Sequence, residues 1–237
     1  MAHTTAPGTP EPSGQLWAET TCFPKGRQDG LRAIPESLGV CRLPPVITAF
    51  HQRYPSVRLQ LTTCAHEGLE EDLRRGITDL AFLLTESVSA ADLEIEALGF
   101  ESIVMVAHPR HDLLRRRRVR TRDLERETLL VSRVDCSYLN TVRRSIAEEK
   151  VAVDRLVEFS SVAVLKKCAE AGLGLAVLPE VNVRAEVEAG RLAIVPWDEG
   201  AFQVAILMLW YRQRWLSPTV RAFMGLVRAS FVPGKAM

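Results

Sequence analysis

Short polar side chains recur where a predicted strand ends and a helix begins, and these residues are the best candidates for chemistry. They fall at four junctions: Ser37; Thr62, Thr63 and Cys64; Ser132, Cys136 and Ser137; Ser160 and Ser161. Hydroxyl groups and helix N-termini both bind small anions such as carboxylates. Any one of these residues can instead cap its own helix, which contributes about 1 kcal/mol. Four junctions at equivalent strand ends favour a ligand-binding cleft.

Catalytic and metal-binding patterns are missing from the sequence. It contains no G-x-S-x-G, no Walker glycine loop, no G-x-G-x-x-G after a first strand and no H-E-x-x-H. Gly172 and Gly174 follow a predicted helix, which favours a C-cap and a tight turn over a phosphate loop. The five histidines and five cysteines lack metal-ligand spacing, and the cysteines are typical of reduced, buried thiols. We therefore expect no enzymatic activity, no cofactor and no metal.

The composition is that of an ordinary globular protein. Among 237 residues, 30 basic and 29 acidic side chains give a net charge of +1, so no overall charge favours nucleic acid. The arginine run at 115–118 lacks interleaved aromatic residues and is followed by Glu125 and Glu127, which favours a solvated loop or helix edge over a phosphate contact. No apolar run is long enough to span a membrane and no signal peptide is visible, so we expect a cytoplasmic protein without a membrane partner.

Strands and helices alternate along most of the chain. Residues 1–30 are rich in Pro, Gly and Thr and predict a disordered leader. Predicted strands lie at 31–37, 57–61, 80–84, 102–107, 129–132, 156–159, 175–178, 192–195 and 204–211. Predicted helices begin near Pro44, Leu69, Ser137, Ser161, Val181 and Pro218. The first half reads β-α-β-α-β, which predicts right-handed crossovers and a parallel sheet.

Two α/β units followed by a returning strand and helix predict an α/β fold of two lobes joined by crossing strands. Residues 31–86 with 206–231 form the predicted lobe I, and residues 87–205 form lobe II. Residues 232–237 are a tail. Such a design leaves a ligand cleft between the lobes.

Several stretches together resemble a known family. They are PESLGVCRLPPVITAFHQRYPSVRLQL, LEEDLRRGITDLAFLL, LLVSRVDCSYLNTVRR, FSSVAVLKKCAEAGLGLAVLP and WLSPTVRAFMGLVR. In this order and spacing they are similar to the effector-binding domain of LysR-type transcriptional regulators, over roughly residues 31–231. The resemblance implies a periplasmic-binding-protein type 2-like fold, with two Rossmann-like lobes around a cleft for a small-molecule effector. The hydroxyls and helix N-termini described above suit a carboxylate there.

The resemblance also implies roles for particular residues. Effector contacts carry over to Ser37, Leu38, Thr63, Cys64, Leu84, Thr85, Ser132, Cys136, Ser161 and Val162. The helix beginning at Pro44 is expected to pack against a partner's helix beginning at Pro218, with Val46, Phe50, Val220 and Phe223 at the dimer interface. Family members form homodimers, and tetramers at full length.

Other readings stay open beside the main one. Family members bind DNA through an N-terminal winged helix-turn-helix, which a thirty-residue leader is too short to encode, so this chain is expected to lack it. The first strand is ragged, which leaves the register of Ser37 open. Cys136 aligns with the reactive cysteine region of peroxide sensors, but no resolving cysteine follows within ten residues, which favours a packing thiol. A free-standing solute-binding protein of the same fold is the alternative function, and it would require export.

Overall fold

The computed structural model describes residues 36–62, 68–85, 88, 90–133, 138–153, 155–198 and 202–231. The helices in these ranges are α1 (Glu36–Cys41), α2 (Pro44–Arg53), α3 (Leu69–Arg75), α4 (Leu139–Glu148), α5 (Val162–Glu170), α6 (Glu180–Glu188) and α7 (Pro218–Phe231). The strands are β1 (Ala81–Thr85), β2 (Leu93–Ala107), β3 (Thr128–Ser132), β4 (Arg155–Phe159), β5 (Leu175–Pro179), β6 (Ala193–Ile194) and β7 (Phe202–Tyr211). Short 3-10 turns occupy Asp112–Arg115 and Thr121–Leu124.

The strands form one mixed sheet of order β1-β7-β2-β5-β3-β4, with β6 beside the end of β2. β3 is parallel to both β4 and β5, whereas β2 is antiparallel to β5 and β7. The two long strands β2 and β7 pair along ten positions and extend from the β1 end of the sheet to the β5 end. They are the crossing strands that the alternation predicts. The boundaries of the two lobes stay a prediction.

β5 is the best-covered strand of the parallel region. All five of its residues are buried. Leu175 and Val177 belong to a core cluster that includes α4, whereas Ala176 and Leu178 belong to a second cluster built from α5 and α6. Because helices cover both faces, β5 is apolar throughout instead of alternating. This confirms the prediction from its uninterrupted apolar run.

The turn between α5 and β5 depends on two glycines. Gly172 has a φ of 83° and donates its backbone N–H to the carbonyl of Ala169, while Leu173 donates to Cys168, so the helix ends in a left-handed turn. A Cβ added to Gly174 would lie 2.2 Å from the carbonyl oxygen of Thr128. The pair therefore ends the helix and lets β5 approach β3, as predicted in place of a phosphate loop.

The first part of the chain differs from its prediction. Residues 57–62 form no strand, and Ser37 lies inside helix α1 instead of following a strand. Residues 31–35 of the predicted first strand lie outside the described residues. Within the described ranges β1 pairs with β7 alone, in antiparallel fashion, so the parallel β-α-β-α-β sheet predicted here is wrong for the described part of the chain. Residues 57–61 alternate but form no strand, and in the described ranges no strand pairs with them; local pattern alone cannot show whether such a neighbour is present.

Helices α2 and α7 pack against each other within the chain. The rings of Phe50 and Phe223 meet edge to face, with their centroids 5.2 Å apart. Val46, Phe50, Val220 and Phe223 are each at most 6% exposed. These four side chains, predicted at a dimer interface, fill the chain's own core and leave no surface for a partner. Pairing of these helices between protomers stays a prediction, and it would have to use their outward faces.

Among the described residues, no helix is both long enough and apolar enough to cross a bilayer.

Candidate functional site

The carboxyl ends of β3 and β4 bring two predicted site residues to the same end of the sheet. Ser132 is the last residue of β3 and is in register with Phe159, the last residue of β4. Arg133 then donates its backbone N–H to the carbonyl of Phe159, at 2.8 Å. Ser161, two residues after Phe159, is the N-cap residue of helix α5. The parallel pairing of β3 and β4 therefore directs Ser132 and Ser161 to one edge, as the strand-to-helix pattern predicts.

Ser132 has a buried hydroxyl group at this edge. It is fully buried, and its hydroxyl has no hydrogen-bond partner among the described residues. A buried hydroxyl without a partner costs about 1–3 kcal/mol relative to a satisfied one. Such groups in native proteins call for a specific explanation. A hydroxyl without a partner at the carboxyl end of a parallel strand is thus a candidate for hydrogen-bonding a ligand.

Ser161 holds the N-cap position of α5 in an extended conformation, with φ −134° and ψ 123°. Its carbonyl accepts the first helical hydrogen bond from Leu165. Its side chain makes no capping hydrogen bond to the described residues, so the hydroxyl is not committed to its own helix. The neighbouring Val162 has its side chain buried in the cluster beneath α5 and α6. The hydroxyl and the positive end of the helix dipole therefore lie at the same edge of the sheet as Ser132.

The remaining predicted effector residues divide into three groups. Leu38 and Leu84 are buried in the main core cluster, so their side chains pack. Ser37 and Thr85 are buried polar residues, in α1 and at the end of β1. Thr63, Cys64 and Cys136 lie outside the described residues, as do Cys22 and Ser137. The structure therefore brings Ser132 and Ser161 to the same edge of the sheet, and the effector contacts of all ten residues stay predictions.

A polar contact between α1 and α6 has no counterpart in the sequence-based predictions. The Cys41 thiol lies 3.3 Å from Oδ1 of Asn182, and Nζ of Lys166 lies 2.8 Å from the Asn182 carbonyl and 2.7 Å from Oε1 of Glu186. Burial raises the pKa of the Cys41 thiol, and the positive charge of Lys166 opposes that rise. Cys41 is therefore a protonated packing thiol. Residues about 140 positions apart leave no periodic signal, so sequence reasoning missed this contact.

A second link ties the end of α1 to the crossing strand β2. The guanidinium of Arg42 donates to Oε2 of Glu101 at 3.0 Å, and the Glu101 side chain is only 5% exposed. A buried carboxylate needs such a partner, because an uncompensated charge in the interior is costly. Together the two links fix α1, which carries Ser37, against α6 and β2.

The arginine run follows its predicted role. Arg116 pairs with Asp123 at 2.6 Å, and Arg118 pairs with Asp198 at 2.5 Å. Both arginines are largely exposed. Their charges are thus partly met by neighbouring carboxylates, as in a solvated loop. In the described part of the chain, no group of three His, Cys, Asp or Glu side chains is arranged to hold a metal ion.

The chain matches the LysR substrate binding domain over residues 33–232. It is 32% identical over 197 residues to the HTH-type transcriptional regulator YwqM of Bacillus subtilis, covering 83% of this chain and 67% of the relative. It is 32% identical over 199 residues to the HTH-type transcriptional regulator CbbR of Xanthobacter flavus, covering 80% and 58%. The chain therefore spans about three fifths to two thirds of the length of these relatives.

Solved structures give the same fold. The CcmR regulatory domain of Synechocystis PCC6803, in complex with 2-PG, superposes with a TM-score of 0.76 at 20% identity, covering 87% of this chain and 99% of that one. The effector binding domain of QuiR, in complex with shikimate, gives 0.69 at 15% identity, covering 86% and 96%. These likenesses support the periplasmic-binding-protein type 2-like fold that the resemblance implies. The chain belongs to the LysR substrate-binding domain family.

Proposed function

We propose that the chain is the effector-binding and dimerisation domain of a bacterial LysR-type transcriptional regulator, and that it senses a small organic acid at the edge formed by Ser132 and Ser161. The observation that carries this proposal is the buried hydroxyl of Ser132, which has no partner among the described residues beside the start of α5. A carboxylate there would accept hydrogen bonds from both hydroxyls. The helix dipole would contribute about 0.3–1 kcal/mol more.

The named relatives support a regulator over the other readings. YwqM and CbbR are both named HTH-type transcriptional regulators, and two structural neighbours are described with the small molecules 2-PG and shikimate bound. None of these names is that of an exported solute-binding protein or an enzyme. In this proposal DNA is bound by a winged helix-turn-helix elsewhere in the full-length regulator, which acts in the cytoplasm as a tetramer.

The contacts of α1 with β2 and α6 suggest how effector binding would change the relative position of the lobes. Arg42 and Cys41 attach α1 to β2 and to α6, and Ser37 lies in the same short helix. An effector held by Ser132 on one side and by the α1 region on the other would favour one relative pose of the two lobes. The effector can shift the equilibrium between two such poses only if it binds one of them more tightly than the other.

A matched ligand screen tests the proposal. Small carboxylic acids are screened by thermal shift on the purified chain, each beside its uncharged primary amide. We expect at least one acid to raise the melting temperature in a saturable manner while its amide does not, because a ligand that binds the native state stabilises it by mass action. If acids and amides behave alike across the screen, the proposed carboxylate site is wrong.

A further inference from the structure

A groove of about 460 Å³ lies at the opposite end of lobe II from Ser132. It is lined by His108, Pro109, Arg110, Glu170, Gly190 and Arg191. These residues come from three places: the turn after β2, the end of α5 and the segment after α6. All three adjoin the amino end of β5, because β2 and β5 are antiparallel and α5 leads into β5. The groove is therefore separate from the edge at the carboxyl ends of β3 and β4.

Positively charged side chains outnumber negatively charged ones in the lining of the groove. Glu170 is the one carboxylate in its lining, and Nζ of Lys167 lies 2.8 Å from it. The hydrogen bond from Lys167, together with the charge of Arg191, holds the pKa of Glu170 below its ordinary value. Glu170 is thus ionised at neutral pH, and Lys167 already compensates its charge. Two arginines remain to give the groove a net positive charge.

Both arginines keep donors for a bound anion. Nε of Arg191 lies 3.6 Å from Glu170, longer than an ordinary hydrogen bond. Arg110 is exposed and forms no ion pair within the described ranges. A guanidinium presents five N–H donors in a planar fork that matches phosphate and carboxylate oxygens.

His108 adds a third donor. Its Nδ1 accepts the backbone N–H of Arg110 at 3.1 Å. In a neutral imidazole that accepts at Nδ1, the ring proton is on Nε2, which therefore donates. Two guanidinium groups and one imidazole N–H are a donor set for a compact anion with several acceptor oxygens.

We propose that this groove is a second ligand site, which binds the phosphate group of a small molecule or free inorganic phosphate. A phosphate offers more acceptor oxygens and more charge than a carboxylate, and two guanidinium groups recognise it well. The groove falls within the size range of small-molecule sites. This site acts independently of the proposed effector edge, so each can fail without the other.

The test uses inorganic phosphate on the whole chain at constant ionic strength, followed by amide NMR. We expect saturable shifts at the amides of Arg110 and Gly190 and none at Ser132. Glycerol 3-phosphate should reproduce these shifts, which would show that a phosphomonoester also fits. Succinate should bind more weakly, and succinate binding as tightly as phosphate would overturn the preference for phosphate.

Variants that remove a positive or a negative charge from the groove should change phosphate affinity in opposite directions. Arg110→Gln and Arg191→Gln should each weaken phosphate binding about tenfold, the loss expected for one charge-assisted hydrogen bond. Glu170→Gln should strengthen it severalfold, because it removes the competing carboxylate from Arg191. Arg58→Gln, at an exposed arginine outside the groove, should change nothing. The proposal is overturned if phosphate produces no saturable shift at the groove, or if Arg58→Gln weakens binding as much as the groove variants.

Discussion

One half of the sheet is parallel and the other half is antiparallel, and this difference decides where residues that follow strands can come together to form a ligand site. At one end of the sheet β3, β4 and β5 are parallel, so their carboxyl ends lie at the same edge. The residues that follow each of these strands therefore begin at that edge. At the other end β1, β7 and β2 are antiparallel, so neighbouring strands end at opposite edges. In the described part of the chain, the parallel end therefore brings the junction residues Ser132 and Ser161 to one edge.

The ends also differ in what holds them together. The antiparallel end has α2 and α7 on one face, where the rings of Phe50 and Phe223 pack together, and α3 on the other. The parallel end also has helices on both faces, and in addition it depends on a close backbone approach between β3 and the α5–β5 turn. Changes at the two ends should thus act through different mechanisms.

The largest effect is expected at the antiparallel end. Phe223→Ala should lower the free energy of unfolding by about 4 kcal/mol, because it removes a fully buried ring and leaves a cavity beside Phe50. Urea unfolding followed by circular dichroism measures it. Ala229, which is exposed on the same helix, provides the control: Ala229→Ser should cost under about 1 kcal/mol. Equal losses in the two variants would contradict the packing of α7 described here.

The next effect probes the parallel end. Gly174→Ala should cost about 3 kcal/mol, because the added methyl group would meet the Thr128 carbonyl and force β5 away from β3. Gly99→Ala is the matched control, since no described atom lies within 4 Å of its added methyl group. A loss at Gly174 no larger than the loss at Gly99 would mean that the close approach does not constrain the sheet.

The accuracy of the sequence-based predictions also differs between elements with a local pattern and elements that need a partner strand. β5, α5 and α7 are predicted well, because their apolar patterns and the glycine at position 172 act locally. The 57–61 segment alternates equally well but has no strand beside it in the described ranges, and α1 replaces the end of the predicted first strand. Local pattern cannot show whether a strand will find a neighbour.

The candidate site was partly predictable for a related reason. Ser132 ends a strand that does form and Ser161 follows another, so the junction pattern predicted their shared edge. The contact of Cys41 with Asn182 and the ion pair of Arg42 with Glu101 could not be predicted, because nothing in composition or period joins residues so far apart in the chain. Burial of Phe50 and Phe223 within one chain likewise depends on the angle at which two helices meet.

A smaller effect concerns an ion pair that joins α7 to β2. Arg228 donates to both carboxylate oxygens of Glu96 at 2.7 Å, and these hydrogen bonds lower the pKa of Glu96. A carboxyl pKa that is lower in the folded state stabilises the fold above the unfolded pKa of about 4.3, and this contribution is lost as the pH falls through the folded value. Arg228→Gln should thus cost under about 1 kcal/mol at pH 7, since the pair is partly exposed, and almost nothing at pH 2. The same cost at both pH values would contradict this role.

The proposed dimer can be tested without disturbing stability. Gly225 is exposed on α7, and no described atom lies within 4 Å of a Cβ added there. Gly225→Glu should keep or slightly raise the helix stability while placing a charge on the outward face. If α2 and α7 pair between protomers, light scattering should give a monomer mass for Gly225→Glu and a dimer mass for Gly225→Ala. A dimer mass for both variants would count against that pairing.

Calorimetric titration of Ser132→Ala decides whether a small acid binds at the edge of the sheet where Ser132 lies. Ser132→Ala should keep or raise the free energy of unfolding, because it removes a buried hydroxyl that has no partner among the described residues. It should weaken the binding of the best acid about tenfold, as expected when a hydrogen bond to a charged group is lost. Ser56→Ala, at an exposed serine far from this edge in sequence, should bind as the unmodified chain does. Equal affinity for the acid in Ser132→Ala and Ser56→Ala would show that the acid does not bind at this edge.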